Sequence, residues 1–359
     1  MKTLYDYISM SAEAAIKRQQ EDGSMPSGHN GPYFDQETPV RNTGHWLITF
    51  LKSYEMTQNK KFLVAANKAV QFLLGEQARP MNAAFWHRKA SHKDQTNGLI
   101  GQAWSLEALS VAAKHFDMPD IMKTGQEVFL MHPFDEHHGL WRKIDINGAG
   151  GTIDETFNHQ LWFAAAGGLL QKICANDEVG RRVNIFMDKI TQNLAVYPSG
   201  LIMHHLRPRH LMSMVQSQVK ALLCPESKRV ISKAIGYHHF NLYAFALLRE
   251  CYPRHSFWQN KKFKALWAYA NSEEYKTGLD KNEFGYPYNP VGFEMPFALQ
   301  IFGDDMPGKK DQQEWWLAQQ MQRCFDFSSA MLKKGTSDPV TLAARIYEAV
   351  RLPDLEVVL

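Results

Sequence analysis

Apolar positions along the chain fall into two alternating kinds of helical segment. In residues 3–20, Leu4, Ile8, Ala12, Ala15 and Ile16 recur at helical spacing with charges between them, the pattern of an amphipathic surface helix. In residues 44–54, Trp46, Leu47, Ile48, Phe50, Leu51 and Tyr54 instead surround the helix axis, which demands burial on all sides. The alternation then repeats. Amphipathic segments are expected at 60–74, 119–131, 177–194, 256–270 and 311–332, and all-round apolar ones at 99–115, 153–172, 237–250, 286–302 and from Val340 onward. Pro290 and Pro296 bend or delay the fifth buried segment, and Ser337-Asp338-Pro339 provides an N-cap for the last.

The sum is about twelve helices, with buried ones starting near Gly44, Asn97, Asp154, Tyr237, Val291 and Asp338. A hairpin that hides one helix cannot bury it alone, so six such hairpins must close on one another. The expected fold is therefore all-α, an (α/α)6 toroid of six inner helices inside six outer ones, forming a single domain over residues 1–359. An open superhelix of hairpins fits less well, because the repeats are dissimilar and the loops before inner helices are long. The one interruption, residues 197–235, is basic and rich in His and Met, with Arg207 and Arg209 flanking Pro208. It reads either as a lid or rim over one end of the ring, or as a surface insertion with its own small core.

In such a ring every inner helix points its N-terminus to one end. The unpaired N–H groups there make the mouth partly positive and suited to carboxylates. The stretch 28–54 shows the arrangement: Gly28, Gly31, Pro32 and Pro39 break regular structure, and a loop carrying Asp35, Glu37, Arg41, Asn42 and His45 leads into a buried helix. Further polar residues assigned to the mouth are Asp94, Asn97 and Gln102; Asp154, Glu155 and His159; Tyr237, His238 and His239; and Tyr286, Tyr288 and Glu294. Trp46, Trp86, Trp104, Trp141 and Trp162 are interleaved with them. Trp46, Trp104 and Trp162 lie within buried helices and belong with the core, whereas Trp86 and Trp141, in loops beside His87-Arg88 and Arg142-Lys143, are candidate platforms. Carboxylates walled by aromatic rings are the ingredients of a sugar site. An acidic pair at a helix start, such as Asp154-Glu155, also serves simply as cap and dipole complement.

Composition narrows the field. The 359 residues are 45% apolar and 12% aromatic, enough for a large core, and 40 basic against 37 acidic side chains leave a net charge of only +3, which does not indicate a nucleic-acid surface. Cys174, Cys224, Cys251 and Cys324 are widely separated without zinc-like spacing and read as free thiols in a reducing, cytoplasmic compartment. Asp6 and Glu13 interrupt the N-terminal segment, so no secretory signal is expected, and no apolar run is long enough for a membrane span. Adjacent histidines at His204-His205 and His238-His239 diverge by about 100° on a helix and lack a carboxylate partner, so neither metal nor other cofactor is expected. There is no glycine-rich nucleotide loop and no GxSxG elbow. Oligomeric state is not legible.

Two local motifs point further. Gly101-Gln102-Ala103-Trp104 is similar to the RGQAW-type segment of unsaturated glucuronyl hydrolases, with Ile100 where those enzymes have arginine, and Ile153-Asp154-Glu155 followed by Phe157 is similar to their acid-bearing helix start, in reversed order along the chain. The chain thus resembles the six-hairpin glycosidase superfamily, which also includes rhamnogalacturonyl hydrolases and sugar 2-epimerases. The resemblance implies a glycoside hydrolase acting on uronate-containing oligo- or polysaccharide, with Asp154 as general acid/base and Glu155, Glu37 or Asp35 as its partner. A raised carboxyl pKa would allow proton donation, and Arg41, Arg142 and Lys143 would receive a substrate carboxylate. Asn42, His45, Trp86, Asn97, Gln102, Trp104, Trp141, His159, Tyr237, His238, Tyr288 and Glu294 complete the expected binding set. An epimerase or lyase using His45, His159, His238, Tyr237 and Tyr288, and a non-catalytic glycan-binding scaffold using Trp86 and Trp141, remain as alternatives.

Overall fold

The computed structural model describes residues 2–90, 92–207 and 226–359. Among the described residues, six outer helices, α1 (Leu4–Ile16), α3 (Lys60–Leu74), α5 (Pro119–Met131), α7 (Asp177–Asn193), α9 (Lys261–Ala270) and α12 (Lys309–Cys324), surround six inner ones. The inner set is α2 (Val40–Thr57), α4 (Gly98–Ala112), α6 (Phe157–Ile173), α8 (Glu226–Cys251), α11 (Val291–Phe302) and α13 (Pro339–Ala344), which tightens into a 3-10 segment at Arg345–Arg351. A short α10 (Glu273–Gly278) precedes the loop to α11. Each inner element packs on the next, and the 3-10 segment packs on both α11 and α2, so the ring is closed as the toroid requires. The two ends of the chain are tied by an antiparallel pair, β1 (Lys2–Thr3) with β7 (Glu356–Val357).

Local chemistry explains the elements. Thr3 and Asp6 form a reciprocal capping box at the start of α1, and Asn59, Asn176 and Asn260 cap α3, α7 and α9 through their side-chain oxygens. Inner helices are buried around nearly their whole circumference. In α4 the buried set includes Leu99, Ile100, Ala103, Trp104, Leu106, Ala108, Leu109 and Ala112. Such rods approach their outer partners closely: a methyl group on Gly292 of α11 would lie 2.3 Å from the Trp316 carbonyl oxygen on α12.

Several boundaries differ from the sequence expectation. Helix α2 begins at Val40, four residues before Gly44, because Pro39 with φ −63° already has helical backbone. Arg41, Asn42 and His45 are therefore buried helix residues rather than loop residues. Helix α8 begins at Glu226, not near Tyr237, so residues 226–235, expected in the insertion, are helical. Residues 208–225 of the expected lid or rim lie outside the described residues. Around Trp141, expected in a loop, lie β3 (Leu140–Ile144) and β4 (Gly150–Ile153), which with β2 (Phe134–Asp135) form an antiparallel sheet with Phe134 opposite Trp141 and Arg142 opposite Ile153. Helix α12 stops at Cys324 rather than continuing to 332. There the chain turns through β5 (Phe325–Asp326) and β6 (Met331–Leu332), with Ser328 and Ser329 bonding the Asp326 carboxylate.

Close approach between rings predicts an asymmetry among glycines. Gly292→Ala is expected to cost about 1–3 kcal/mol in urea unfolding. Gly180→Ala, where the added methyl meets only the flexible Gln171 side chain, should cost distinctly less.

Candidate active site

The loop before α2 is pinned to the last inner helix. Asp338 caps α13 by accepting from the Thr341 N–H at 3.1 Å, and its other oxygen accepts from the backbone N–H groups of His29 at 2.8 Å and Gly31 at 3.1 Å. Asn30 and Gly31 adopt left-handed backbone, with φ 61° and 57°. Only glycine fits at position 31, where a Cβ would lie 2.2 Å from the Tyr288 ring. This turn delivers Asn30 and Tyr33 to the wall of a cavity of about 180 Å3 at the N-terminal ends of the inner helices. The Asn30 Oδ1 accepts from the Tyr288 hydroxyl at 2.8 Å and from Arg41 Nη1 at 2.9 Å. The Arg41 guanidinium lies 3.9 Å over the Trp104 ring, and Trp104 also lines the cavity.

On the opposite wall, Asn97 and Gly98 again turn left-handed, with φ 57° and 56°, to start α4. A Cβ on Gly98 would sit 2.5 Å from Asp154 Oδ2. That oxygen accepts from the Leu99 N–H at 3.2 Å and lies 2.8 Å from His159 Nδ1, while Oδ1 accepts from the Thr156 N–H at 3.1 Å. Burial pushes the Asp154 carboxyl pKa up, but the neighbouring His159 ring and the two backbone donors more than reverse this and hold it well below the usual range. The Asp154 carboxylate accepts from Nδ1–H of His159 and so orients the ring, turning Nε2 away from it in a side chain that lines the cavity. His204 lines the same space. Its segment pairs with the start of α6, the Phe157 N–H donating to the His204 carbonyl at 2.9 Å. Burial and the Lys233 charge push the His204 imidazole down to about 2, so it is neutral.

The rest of the wall is phenolic and cationic. The Tyr33 and Tyr237 hydroxyls are 2.9 Å apart, and burial raises both phenols, so they remain protonated donors. Lys233 Nζ lies 5.0 Å from the Tyr33 ring centre and is pushed down to about 8, by burial first and by Arg229 second. Arg88 Nε is 3.7 Å from Asp35 Oδ2. Arg345 forms part of the floor, but its guanidinium is committed to Glu348, Glu294, Asn289 and the Tyr288 carbonyl. Burial and the adjacent Glu348 raise the Glu294 carboxyl, whose other oxygen is 3.0 Å from His239 Nε2.

Of the expected set, Asn97, Trp104, His159, Tyr237 and Tyr288 line the cavity. Asp154 stands directly behind His159. Among the described residues, no carboxylate lines the cavity, so the expected acidic basin is corrected to a polar, aromatic and cationic one. The reason is that the carboxylates have other partners. Asp35 pairs with Lys93 and Arg88, Glu37 is buried against Arg41 at 3.1 Å, Asp94 accepts from the Gly98 N–H, and Glu155 is exposed. Nor is the Asp154 pKa raised by a second carboxylate. Trp141 is no platform: it is fully buried among Phe129, Phe134, Phe163 and Phe186, and Arg142 beside it is exposed on β3. Trp86 donates to the Arg88 carbonyl, Gln102 holds the backbone of Phe85 and Thr96, and Asn42 donates to the Pro26 carbonyl. His45 stacks on Tyr347 at 4.1 Å, and His238 bridges the Ile202 N–H and the Leu266 carbonyl. Sequence reading passed over Asn30, Tyr33, Arg88, Asn158, Lys233, Asn289 and Arg345 as site residues. An arginine three residues before Glu348 in the mostly apolar last inner segment was the available signal for Arg345.

No family model matches the chain. Over its whole length it is 45% identical to the whole of archaeal glycosylation protein Q of Haloferax volcanii (strain DS2), in an alignment of 374 residues. The chain belongs to the archaeal glycosylation protein Q family. Among solved structures, a D-mannose isomerase superposes with a TM-score of 0.66 at 13% identity, covering 97% of each chain. Cellobiose 2-epimerase from Bacillus thermoamylovorans B4167 gives 0.64 at 10% identity, over 94% of this chain and 95% of that one. An α-1,6-mannanase from Salegentibacter sp. HEL1_6 gives 0.57 at 11%, over 97% and 98%. At such identities the likeness is one of fold, and this member of the family has the six-hairpin (α/α)6 toroid.

The Asp154 contacts predict a pH signature. Asp154→Asn should lower stability by about 1–3 kcal/mol at pH 7. Because the folded carboxyl is depressed, its contribution is complete above the ordinary aspartate value of about 3.9 and is lost as pH falls toward the folded value. Urea unfolding should therefore show the gap between wild type and variant narrowing from pH 7 to pH 3, and a constant gap would contradict the assignment.

Proposed function

We propose that this protein is a sugar epimerase or isomerase, moving a proton at the carbon next to a sugar carbonyl, with His159 as the base. The observation that carries this reading is the Asp154-oriented imidazole in a cavity wall that, among the described residues, contains no carboxylate. A glycosidase of the kind first expected needs two carboxyl groups flanking the scissile bond. The relative's name, a glycosylation protein, and the isomerase and epimerase among the structural neighbours support a carbohydrate substrate. The mannanase among those neighbours favours only the broader class.

In the reaction, His159 Nε2 takes the proton from the carbon α to the open-chain carbonyl. The C–H electron pair becomes a C=C bond, and the carbonyl oxygen becomes an enediolate oxyanion. Neutral phenols can donate to that oxyanion without first losing their own protons, and Tyr33 and Tyr237 are kept in that form by burial. Return of the proton to the neighbouring carbon, with hydroxyl proton transfer, gives the aldose–ketose isomer; return to the opposite face of the same carbon gives the epimer. Lys233 and Arg88 add positive charge to the wall, which favours a uronate whose carboxylate meets them.

In D2O, D-glucuronate and D-mannose followed by NMR should incorporate deuterium at C2 in at least one case. His159→Asn should slow that exchange about 102- to 104-fold, the usual contribution of a general base. Release of new reducing ends from an oligosaccharide, without exchange, would overturn the reading in favour of hydrolysis. For a uronate substrate, kcat/KM should also fall as pH rises through about 8, where free-enzyme Lys233 loses its charge. Lys233→Arg should move that limb to higher pH, while a neutral hexose should show no such limb.

A further inference from the structure

We infer that Phe34, backed by His29, is a stacking platform for a second sugar unit, so that the cavity receives the end of an oligosaccharide rather than a free monosaccharide. The inference rests on the reading that the cavity holds a sugar. Phe34 is 68% exposed, the most exposed large apolar side chain among the described residues. Its backbone is left-handed, with φ 52° and ψ 31°, a conformation that a bulky residue adopts only at a cost and that glycine or asparagine would take more easily. The residue therefore gains little from burial and carries backbone strain as well, a combination that points to a role outside folding.

The ring is nonetheless held firmly. His29 and Phe34 stack with ring centres 5.1 Å apart and planes only 8° from parallel. His29 is itself anchored at both ends: its ring Nε2–H donates to the Ser337 carbonyl at 2.9 Å, and its backbone N–H donates to Asp338. One face of Phe34 is thus covered by a fixed imidazole. The other face is left to solvent. The same turn supplies Asn30 and Tyr33 to the cavity wall, so the platform adjoins the cavity in sequence and shares its anchor, Asp338. A cavity of about 180 Å3 is small beside the roughly 300–1,000 Å3 of drug-sized sites, so a second unit must lie outside it, over the rim. The apolar face of a pyranose fits a flat, pre-oriented aromatic ring, and pre-orientation lowers the entropy lost on binding.

The test is titration calorimetry with D-glucuronate and with the β-1,4-linked disaccharide of glucuronate and glucose. Wild type should bind the disaccharide on the order of ten-fold more tightly than the monosaccharide. Phe34→Gly should remove that gain, leave monosaccharide affinity unchanged, and keep or raise the melting temperature because the strain is relieved; Phe34→Trp should retain the gain. Equal affinity of wild type for the two saccharides, or equal loss of both in Phe34→Gly, would overturn the platform while leaving the cavity reading intact. Failure of both saccharides to bind wild type would overturn the cavity reading, and the platform with it.

Discussion

Six inner helices buried around nearly their whole circumference impose the constraint on which the rest of this structure depends. Each must be covered on all sides, so they can only stand in a closed ring, and closure turns all their N-termini to one end. The N–H groups gathered there need acceptors. Asp338 serves α13 and also fastens the loop before α2, while Asp94 and Asp154 accept from Gly98 and Leu99 at the start of α4. The same constraint decides what a carboxylate at the mouth is for. Once a carboxylate accepts two or three N–H groups it is held ionised and pinned, which suits it to orient a neighbour and unsuits it to deliver a proton.

This explains how the fold could be read from sequence while the partners of the carboxylates could not. The alternation of amphipathic and all-round apolar segments depends only on burial, and it placed the six inner helices in order. Boundaries moved where local geometry outweighed hydrophobic pattern: Pro39 started α2 early, and polar residues such as Lys228 and Arg229 disguised the first turns of α8. The density of acids near helix starts was also read correctly, but pattern cannot tell a cap from an acid catalyst. Asp154 was singled out as an acid, and in the structure it holds His159, five residues on and in the first turn of α6. Trp141 followed a loop-like stretch, yet the small sheet folds it inward onto four phenylalanines. Asn30 and Tyr33 were invisible because their place depends on a left-handed turn anchored to a residue about three hundred positions away.

The electrostatics of the mouth follow from the same distribution. With the carboxylates drawn back into caps and ion pairs, the groups left facing the cavity are phenols, amides, imidazoles and cations. Burial keeps the phenols protonated and the His204 imidazole neutral, and it weakens the hold of Lys233 on its proton. Such a wall donates hydrogen bonds readily, and Asp154 orients the His159 ring within it. Below it, the Arg345 guanidinium is surrounded by Glu294, Glu348 and Asn289, which anchors the floor without leaving that cation free for a ligand.

The two walls differ in how they are built. The wall carrying His159 and Asn97 is built from the starts of α4 and α6, where Asp94 and Asp154 hold the first backbone N–H groups. The wall carrying Asn30, Tyr33 and Phe34 comes from one irregular turn, held in place by hydrogen bonds to Asp338 and by the packing of Gly31 on Tyr288. Proton transfer needs atoms placed to within about half an ångström, and rigid helix starts supply that. A turn, by contrast, can change its sequence without disturbing the ring. In this toroid the placing of His159 therefore depends on residues that accept from the starts of inner helices, whereas the placing of Phe34 depends on the turn before α2.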